Sequence, residues 1–187
     1  GILSGTLSYL FNAFDGQRPF SDILTEAKSK GFTEPDPRDD LSGMDVARKI
    51  VILAREMGME LELEDVDVEG LVPDELGEGT VDEFMERLPE FDDDMTELLE
   101  DAHEADEVLR FVGKVTRHGE ASVKLRRYPQ DHAFARIHQT DNIIQFRTRR
   151  YDENPLVVQG PGAGPAVTAG GIFADLLRLA TYVGATT

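Results

Sequence analysis

Apolar residues recur every three or four positions in the first half of the chain, a spacing that predicts amphipathic helices. The predicted helices cover residues 4–14, 21–30, 44–57, 81–88 and 93–103, and a more apolar helix covers residues 167–182. Apolar and polar residues alternate at residues 61–72, 108–115, 121–125 and 142–151, which predicts half-buried strands, and residues 155–159 form a short buried strand. This order predicts an α+β fold with a mixed, mostly antiparallel sheet covered by helices on one face.

Special residues mark the ends of several helices. Ser21 is a candidate N-cap, and Gly31 suits the left-handed position that follows a helix. Pro35 and Pro37 come next, and each disfavours helix at the residue before it. We therefore predict a rigid acidic loop that leads into the helix beginning at about Met44.

The composition narrows the class of protein. A length of 187 residues fits one domain, large enough to bury a core. The absence of cysteine excludes disulfides, thiolate metal ligands and cysteine nucleophiles. The formal net charge of −18 repels nucleic acid and anionic membranes, so neither is an expected partner. No apolar run approaches the roughly 18 residues of a membrane span, and we expect a cytoplasmic protein.

The acidic loop and the helix after it form the candidate site. Lys49 follows Asp45 by four positions, so the two residues lie on one face of the helix, one turn apart. Four further acids are expected within reach of the lysine: Glu34, Asp36, Asp39 and Asp40. An ammonium surrounded by carboxylates could hold a small zwitterion and move one proton. The alternative is a capped surface helix with an ordinary ion pair.

Thr6 and the glycines at 160–164 can each be interpreted as part of a binding site or as purely structural. Thr6 near a helix N-terminus could meet a small polar ligand together with free backbone N–H groups, or it could simply cap the helix. Gly160, Gly162 and Gly164 lie between a strand and a helix, but their spacing does not match G-x-G-x-x-G. On pattern alone they form a tight turn.

We predict no metal site. None of the four histidines is spaced from another as metal ligands on a helix are. The acidic cluster lacks the calcium-loop pattern, and Arg38 and Lys49 would compete with a cation.

Three stretches resemble one enzyme family. The run GFTEPDPRDDLSGMDVARKIVILARE (31–56) resembles the signature of homoserine dehydrogenase, as found in bifunctional aspartokinase–homoserine dehydrogenases. SGTLSY (4–9) resembles the opening of its catalytic domain, and PLVVQGPGAG (155–164) with VTA (167–169) resembles its C-terminal cofactor-side loop. One departure is Phe32, where a tyrosine is common, so a role for that hydroxyl is in doubt.

The resemblance implies an oxidoreductase of threonine and methionine biosynthesis that interconverts L-aspartate 4-semialdehyde and L-homoserine with NAD(P)H. It implies that Lys49 is the proton donor with Asp45 beside it. Glu34 would bind the substrate ammonium, Asp40 and Asp45 the other polar end, and Thr6 would add a hydrogen bond. The cofactor-side residues would be Gly31 and Gly164, with NADP or NAD bound mainly by another domain.

The resemblance also sets the expected domain organisation. Residues 1–187 would be the catalytic (substrate and dimerisation) domain, with 160–187 as cofactor-side loop and closing helix. A dinucleotide-binding domain is expected upstream, followed further upstream by an aspartokinase in the bifunctional form, and the fragment alone should be inactive. A homodimer is expected. A non-catalytic amino-acid-binding regulatory module stays open as an alternative, because it would also use Glu34, Thr6 and Asp40.

Overall fold

The structure, a computed structural model, describes residues 1–184. Seven α-helices lie within this range: α1 (Gly5–Ala13), α2 (Phe20–Ser29), α3 (Pro37–Leu41), α4 (Met44–Glu56), α5 (Val81–Arg87), α6 (Asp92–Glu104) and α7 (Pro165–Tyr182). Five strands accompany them: β1 (Val66–Val68), β2 (Glu107–Val115), β3 (Ala121–Pro129), β4 (Asp141–Phe146) and β5 (Leu156–Pro161).

The strands form two small sheets. In the first, β3 lies between β1, which is parallel to it, and β2, which is antiparallel to it. In the second, β4 and β5 pair antiparallel, and an isolated bridge joins Ile143 of β4 to Ile2 at the start of the chain. The α+β class with mostly antiparallel strands is confirmed, with the strands divided between two sheets.

The hydrophobic core lies against both faces of β2, as alternation along a strand requires. Leu109 and Phe111 belong to the main core, which includes the buried side of α4. Val112 points to a smaller cluster with Ile2, Phe134, Ile137 and Ile143. The apolar stripe of α4 is buried as predicted, so this helix is fixed against the sheet while its opposite side remains available for chemistry.

The region predicted as an acidic loop contains a short helix, so that prediction is wrong for α3. Pro37 occupies the first position of α3, where the missing N–H costs no helical hydrogen bond. Asp36 caps this helix by accepting from the Arg38 backbone N–H. The predicted N-cap role of Ser21 is also wrong, because α2 begins at Phe20 and Ser21 instead donates to Asp92.

Two strand predictions need correction. Only residues 66–68 of the predicted strand 61–72 are extended, because Leu63–Asp65 form a 3₁₀ turn in which Asp65 accepts from the Glu62 N–H. The strand predicted at 142–151 ends at Phe146. Residues 155–159 were predicted to be buried, but the side chains of β5 are exposed.

The helix predicted at 167–182 is confirmed as α7, but no side chain of α7 is buried. Its large apolar side chains are exposed to between 43% and 90%: Val167, Ile172, Phe173, Leu176, Leu177, Leu179 and Tyr182. Within residues 1–184 no helix is long and apolar enough to cross a membrane.

Candidate active site

Lys49 projects from α4 beside Asp45, and Asp45 lies one turn nearer the N-terminus of the helix. Its Nζ lies 2.7 Å from Asp45 Oδ2 and 2.8 Å from the backbone carbonyl oxygen of Leu3, to which it donates a hydrogen bond. Both side chains of the ion pair remain nearly half exposed. Because an ammonium has three N–H donors, these two contacts leave one for a ligand.

Thr6 is buried in the first turn of α1, three residues after Leu3. The helix is capped by Ser4, which accepts from the Leu7 N–H at 3.2 Å. The Thr6 hydroxyl lies 2.6 Å from the Phe32 carbonyl oxygen and 2.8 Å from Asp40 Oδ1. These contacts join α1 to the segment before α3 and to α3 itself.

Asp40 lies at the centre of the contacts around Thr6. Its Oδ2 accepts from the Glu34 backbone N–H at 2.7 Å, while its Oδ1 faces Thr6. Burial raises the pKa of the Asp40 carboxyl above its usual range, and the nearby charges of Asp39 and Asp45 act in the same direction. The Thr6 hydroxyl has a single proton, so the Phe32 carbonyl and Asp40 Oδ1 are alternative acceptors for the same donor.

The structure corrects the predicted ring of carboxylates around Lys49. Asp45 is the only acid that pairs with the lysine within residues 1–184. Asp36 is occupied by Arg38, whose guanidinium approaches to 2.7 Å and holds the pKa of that carboxyl below its usual range. Arg38 also donates to the Gly79 carbonyl, so this pair secures α3. Asp39 is exposed.

The other predicted residues lie on the surface. The Glu34 side chain is exposed. Gly31 follows α2 with φ +71°, and Gly164 caps α7 with φ +137°; a Cβ at either position would meet nothing within 4 Å. Phe32 contributes its backbone carbonyl to Thr6, and its ring packs edge-on to Tyr9 at 5.0 Å. The contact with Thr6 therefore does not depend on the side chain at position 32.

Sequence reasoning missed the Leu3 carbonyl and a second group that reaches it, the Asn142 amide. Asn142 Nδ2 lies 3.4 Å from the same oxygen. A backbone acceptor has no signature in the sequence, and β4 lies far from Leu3 along the chain. The alternation within residues 142–151 could only have identified Asn142 as a strand residue.

A cavity of about 1070 Å³ lies elsewhere in the fold. It is bordered by residues 69–73, by α6 and by the far ends of β2 and β3, and none of the site residues lines it. Within residues 1–184 no three acidic or histidine side chains cluster closely enough to hold a metal ion.

Comparisons with known proteins agree with one another. The profile of the homoserine dehydrogenase family matches residues 1–177. The chain is 59% identical to the chloroplastic bifunctional aspartokinase/homoserine dehydrogenase 2 of Zea mays, over 99% of this chain and 20% of that protein. It is 46% identical to the homoserine dehydrogenase of Paracoccidioides brasiliensis, over 96% of this chain and 51% of that protein.

Solved structures extend the comparison to the fold. A Candida auris protein of unknown function superposes with a TM-score of 0.91 at 45% identity, over 96% of this chain and 52% of that one. The S. aureus homoserine dehydrogenase at pH 7.5 gives 0.74 at 26% identity, over 99% and 42% of the two chains. The chain thus spans a fifth of the length of the bifunctional maize relative and about half that of the fungal one.

Proposed function

Because the chain belongs to the homoserine dehydrogenase family, we propose that it is the substrate-binding and catalytic part of an NAD(P)-dependent homoserine dehydrogenase. The reaction interconverts L-aspartate 4-semialdehyde and L-homoserine, in threonine and methionine biosynthesis. The observation that best supports this proposal is the Lys49 ammonium held between Asp45 and the Leu3 carbonyl, with a donor to spare.

The substrate presents an ammonium, a carboxylate and a reacting oxygen, and the site offers carboxylate acceptors for the ammonium and the Lys49 N–H as a donor for the reacting oxygen. The exposed carboxylate of Glu34 suits the substrate ammonium. Asp40, Asp45 and the Thr6 hydroxyl are assigned to the remaining polar end. The hydrogen bonds among Thr6, Asp40 and the Glu34 backbone hold these groups in fixed positions before the substrate arrives.

Lys49 is the proposed proton donor. Reduction of the aldehyde needs a proton at its oxygen as the hydride arrives, and the third N–H of Lys49 can deliver it directly or through one water. In the oxidation of homoserine the neutral lysine takes the proton back, so oxidation should become faster toward alkaline pH. Asp45 orients the ammonium through the ion pair at 2.7 Å.

The nicotinamide cofactor supplies the hydride, and we assign most of its binding to a dinucleotide-binding domain outside these 187 residues. Gly31 and Gly164 fit a cofactor-side role, because the space beside each backbone is open to an approaching ligand. The N-terminus of α7 also offers unpaired N–H groups that favour a phosphate. The exposed apolar side chains of α7 would be covered by that domain.

A homodimer is also proposed. Ile2 pairs with Ile143 on one edge of β4, so the free edge of the second sheet within residues 1–184 belongs to β5 and is the edge available to a partner. An aspartokinase in the same protein and a cytoplasmic location remain predictions. The names of the Zea mays and Arabidopsis thaliana relatives place those proteins in the chloroplast.

The direct test uses the chain extended upstream through its cofactor domain. The extended protein should reduce NADP or NAD only when homoserine is present, while the 187-residue chain alone should show no turnover. Binding of homoserine without turnover by the extended protein would instead favour the amino-acid-binding regulatory module. Turnover by the 187-residue chain would contradict the assignment of cofactor binding to another domain.

A further inference from the structure

One backbone carbonyl connects the proposed proton donor to the second sheet. The Leu3 oxygen accepts from Lys49 Nζ at 2.8 Å and from Asn142 Nδ2 at 3.4 Å. Lys49 lies on α4 and Asn142 is the second residue of β4, so elements distant in sequence converge on this oxygen. The contact from Asn142 is the longer of the two, and the burial of the amide and the glycine loop beside it limit how far the amide can move.

The first constraint on the amide is its burial. Asn142 Oδ1 is buried and has no hydrogen-bond partner within residues 1–184. A buried acceptor without a partner is rare in folded proteins, so the orientation of this amide needs an explanation. Exchanging the amide oxygen and nitrogen would place two oxygens face to face at Leu3, so the contact with Leu3 determines the orientation.

The second constraint is the glycine loop, residues 160–164. Asn142 lies opposite Gly160 in the β4–β5 ladder. A Cβ placed on Gly162 would lie 2.0 Å from Asn142 Nδ2 and 2.7 Å from its Cγ, both far inside contact distance. Glycine is therefore required at position 162 for the amide to reach Leu3. This contact explains a glycine in the loop, whereas the spacing of the glycines does not match a dinucleotide-binding motif.

Resting on the proposed function, we propose that Asn142 is a positioning residue that fixes the Leu3 carbonyl for Lys49 and couples the lysine to the glycine loop. Asn142 acts through Leu3 and touches no reacting atom. A lysine side chain is long and flexible, and proton transfer depends on placing its nitrogen within hydrogen-bond reach of the substrate oxygen. The carbonyl that receives the ammonium must itself be held still, and the amide does this.

The first variant is Asn142→Ala in the extended protein. Loss of the contact should lower kcat for homoserine oxidation about tenfold or more, because small misplacements of reacting groups are that costly, while KM for homoserine changes little. Asn142→Asp should also lower kcat, and its added carboxylate near Lys49 favours the charged lysine. The pH at which oxidation becomes half-maximal should therefore rise. Asn154→Ala, in the exposed loop before β5, should match the unmodified protein.

A double variant tests the link to the loop. Gly162→Ala alone should displace the amide and lower kcat in the same way as Asn142→Ala. Once Asn142 is alanine the atoms that clash with the new Cβ are gone, so Asn142→Ala with Gly162→Ala should be no slower than Asn142→Ala alone. Gly77→Ala, where a Cβ meets only the Asp74 carbonyl at 3.4 Å, is the matched control.

The outcomes separate this inference from the function on which it rests. Full activity of Asn142→Ala beside an inactive Lys49→Ala would overturn the inference alone, and so would additive losses in the double variant. A reduced kcat with an unmoved pH profile in Asn142→Asp would assign the residue a purely structural role and would also overturn it. If the unmodified extended protein does not oxidise homoserine, the proposed function fails and this inference fails with it.

Discussion

Gly43 sets the start of α4, and its replacement by alanine should be costly for two separate reasons. The residue has φ +74°, a left-handed conformation that side chains other than glycine disfavour. Its ideal Cβ would lie 2.8 Å and 3.0 Å from two ring atoms of Phe111 and 3.2 Å from Val123 Cγ1. Phe111 and Val123 are 1% and 0% exposed, so neither can move aside into solvent.

The two effects can be estimated separately. The left-handed conformation costs a residue with a Cβ about 1–2 kcal/mol. Insertion of a methyl group into a packed core costs about 1–3 kcal/mol. Gly43→Ala should therefore lower the free energy of unfolding by about 2–5 kcal/mol. Gly58 ends the same helix with φ +81° and has nothing within 4 Å of an added Cβ, so Gly58→Ala should show only the conformational cost.

Urea unfolding followed by circular dichroism suits this comparison, because the chain has no tryptophan to report on unfolding by fluorescence. The midpoint for Gly43→Ala should fall clearly below that for Gly58→Ala, with similar slopes for both. Equal midpoints would contradict this prediction, because they would mean that Phe111 and Val123 move away from the new methyl group at no cost in stability. In the extended protein, Gly43→Ala should also lower the proposed dehydrogenase activity, since α4 carries both Asp45 and Lys49.

Two further predictions concern pH. Burial raises the pKa of Asp40, so its contribution to stability is present at low pH and is lost as the pH rises through that pKa. Asp40→Asn should therefore be at least as stable as the unmodified chain at neutral pH while binding homoserine more weakly; a lower melting temperature there would contradict this. Hydrogen bonds from Lys30, Arg18 and Tyr9 lower the pKa of Glu26 from 4.5 to about 2, so its contribution is lost as the pH falls through that window. Melting temperatures of Glu26→Gln should fall less between these two pH values than those of the unmodified chain, and parallel curves would count against the assignment.

Local signals in the sequence identified the elements that are fixed by local rules. The apolar spacing of α4 and the left-handed Gly58 after it predicted the helix almost to the residue. The strands β2 and β3 followed equally from the alternation at residues 108–115 and 121–125. The same rules misjudged α3, because a proline that breaks a helix in its interior is also favoured at its first position.

In the candidate site, too, some contacts could be predicted from the sequence and others could not. Asp45 and Lys49 could be paired from their spacing alone, and the ion pair is present at 2.7 Å. The Leu3 carbonyl could not be predicted, since every residue has a carbonyl and only the fold selects one. Asn142 contacts that carbonyl across a separation of 139 residues, for which a single sequence holds no signal.

The apolar residues of α7 and β5 show a different limit of prediction from sequence, which concerns burial. Periodicity predicts that a face is buried, but it does not identify the surface that buries it. Residues 167–182 form the predicted helix, and yet Ile172 and Phe173 are exposed to 60% and 61% within the described structure. An apolar stripe on such a helix therefore indicates a contact with a partner surface rather than a place in this core.

The proposed role of Lys49 is tested most directly by homoserine oxidation in the extended protein carrying Lys49→Ala. Lys124→Ala serves as control, because Lys124 is also paired with acids, Asp67 and Glu69, but lies on β3. We expect Lys49→Ala to fold and to bind homoserine but to lose about a hundredfold or more in kcat, because a general acid–base group has been removed. Lys124→Ala should keep its activity. Turnover by Lys49→Ala at the rate of the unmodified protein would contradict the account.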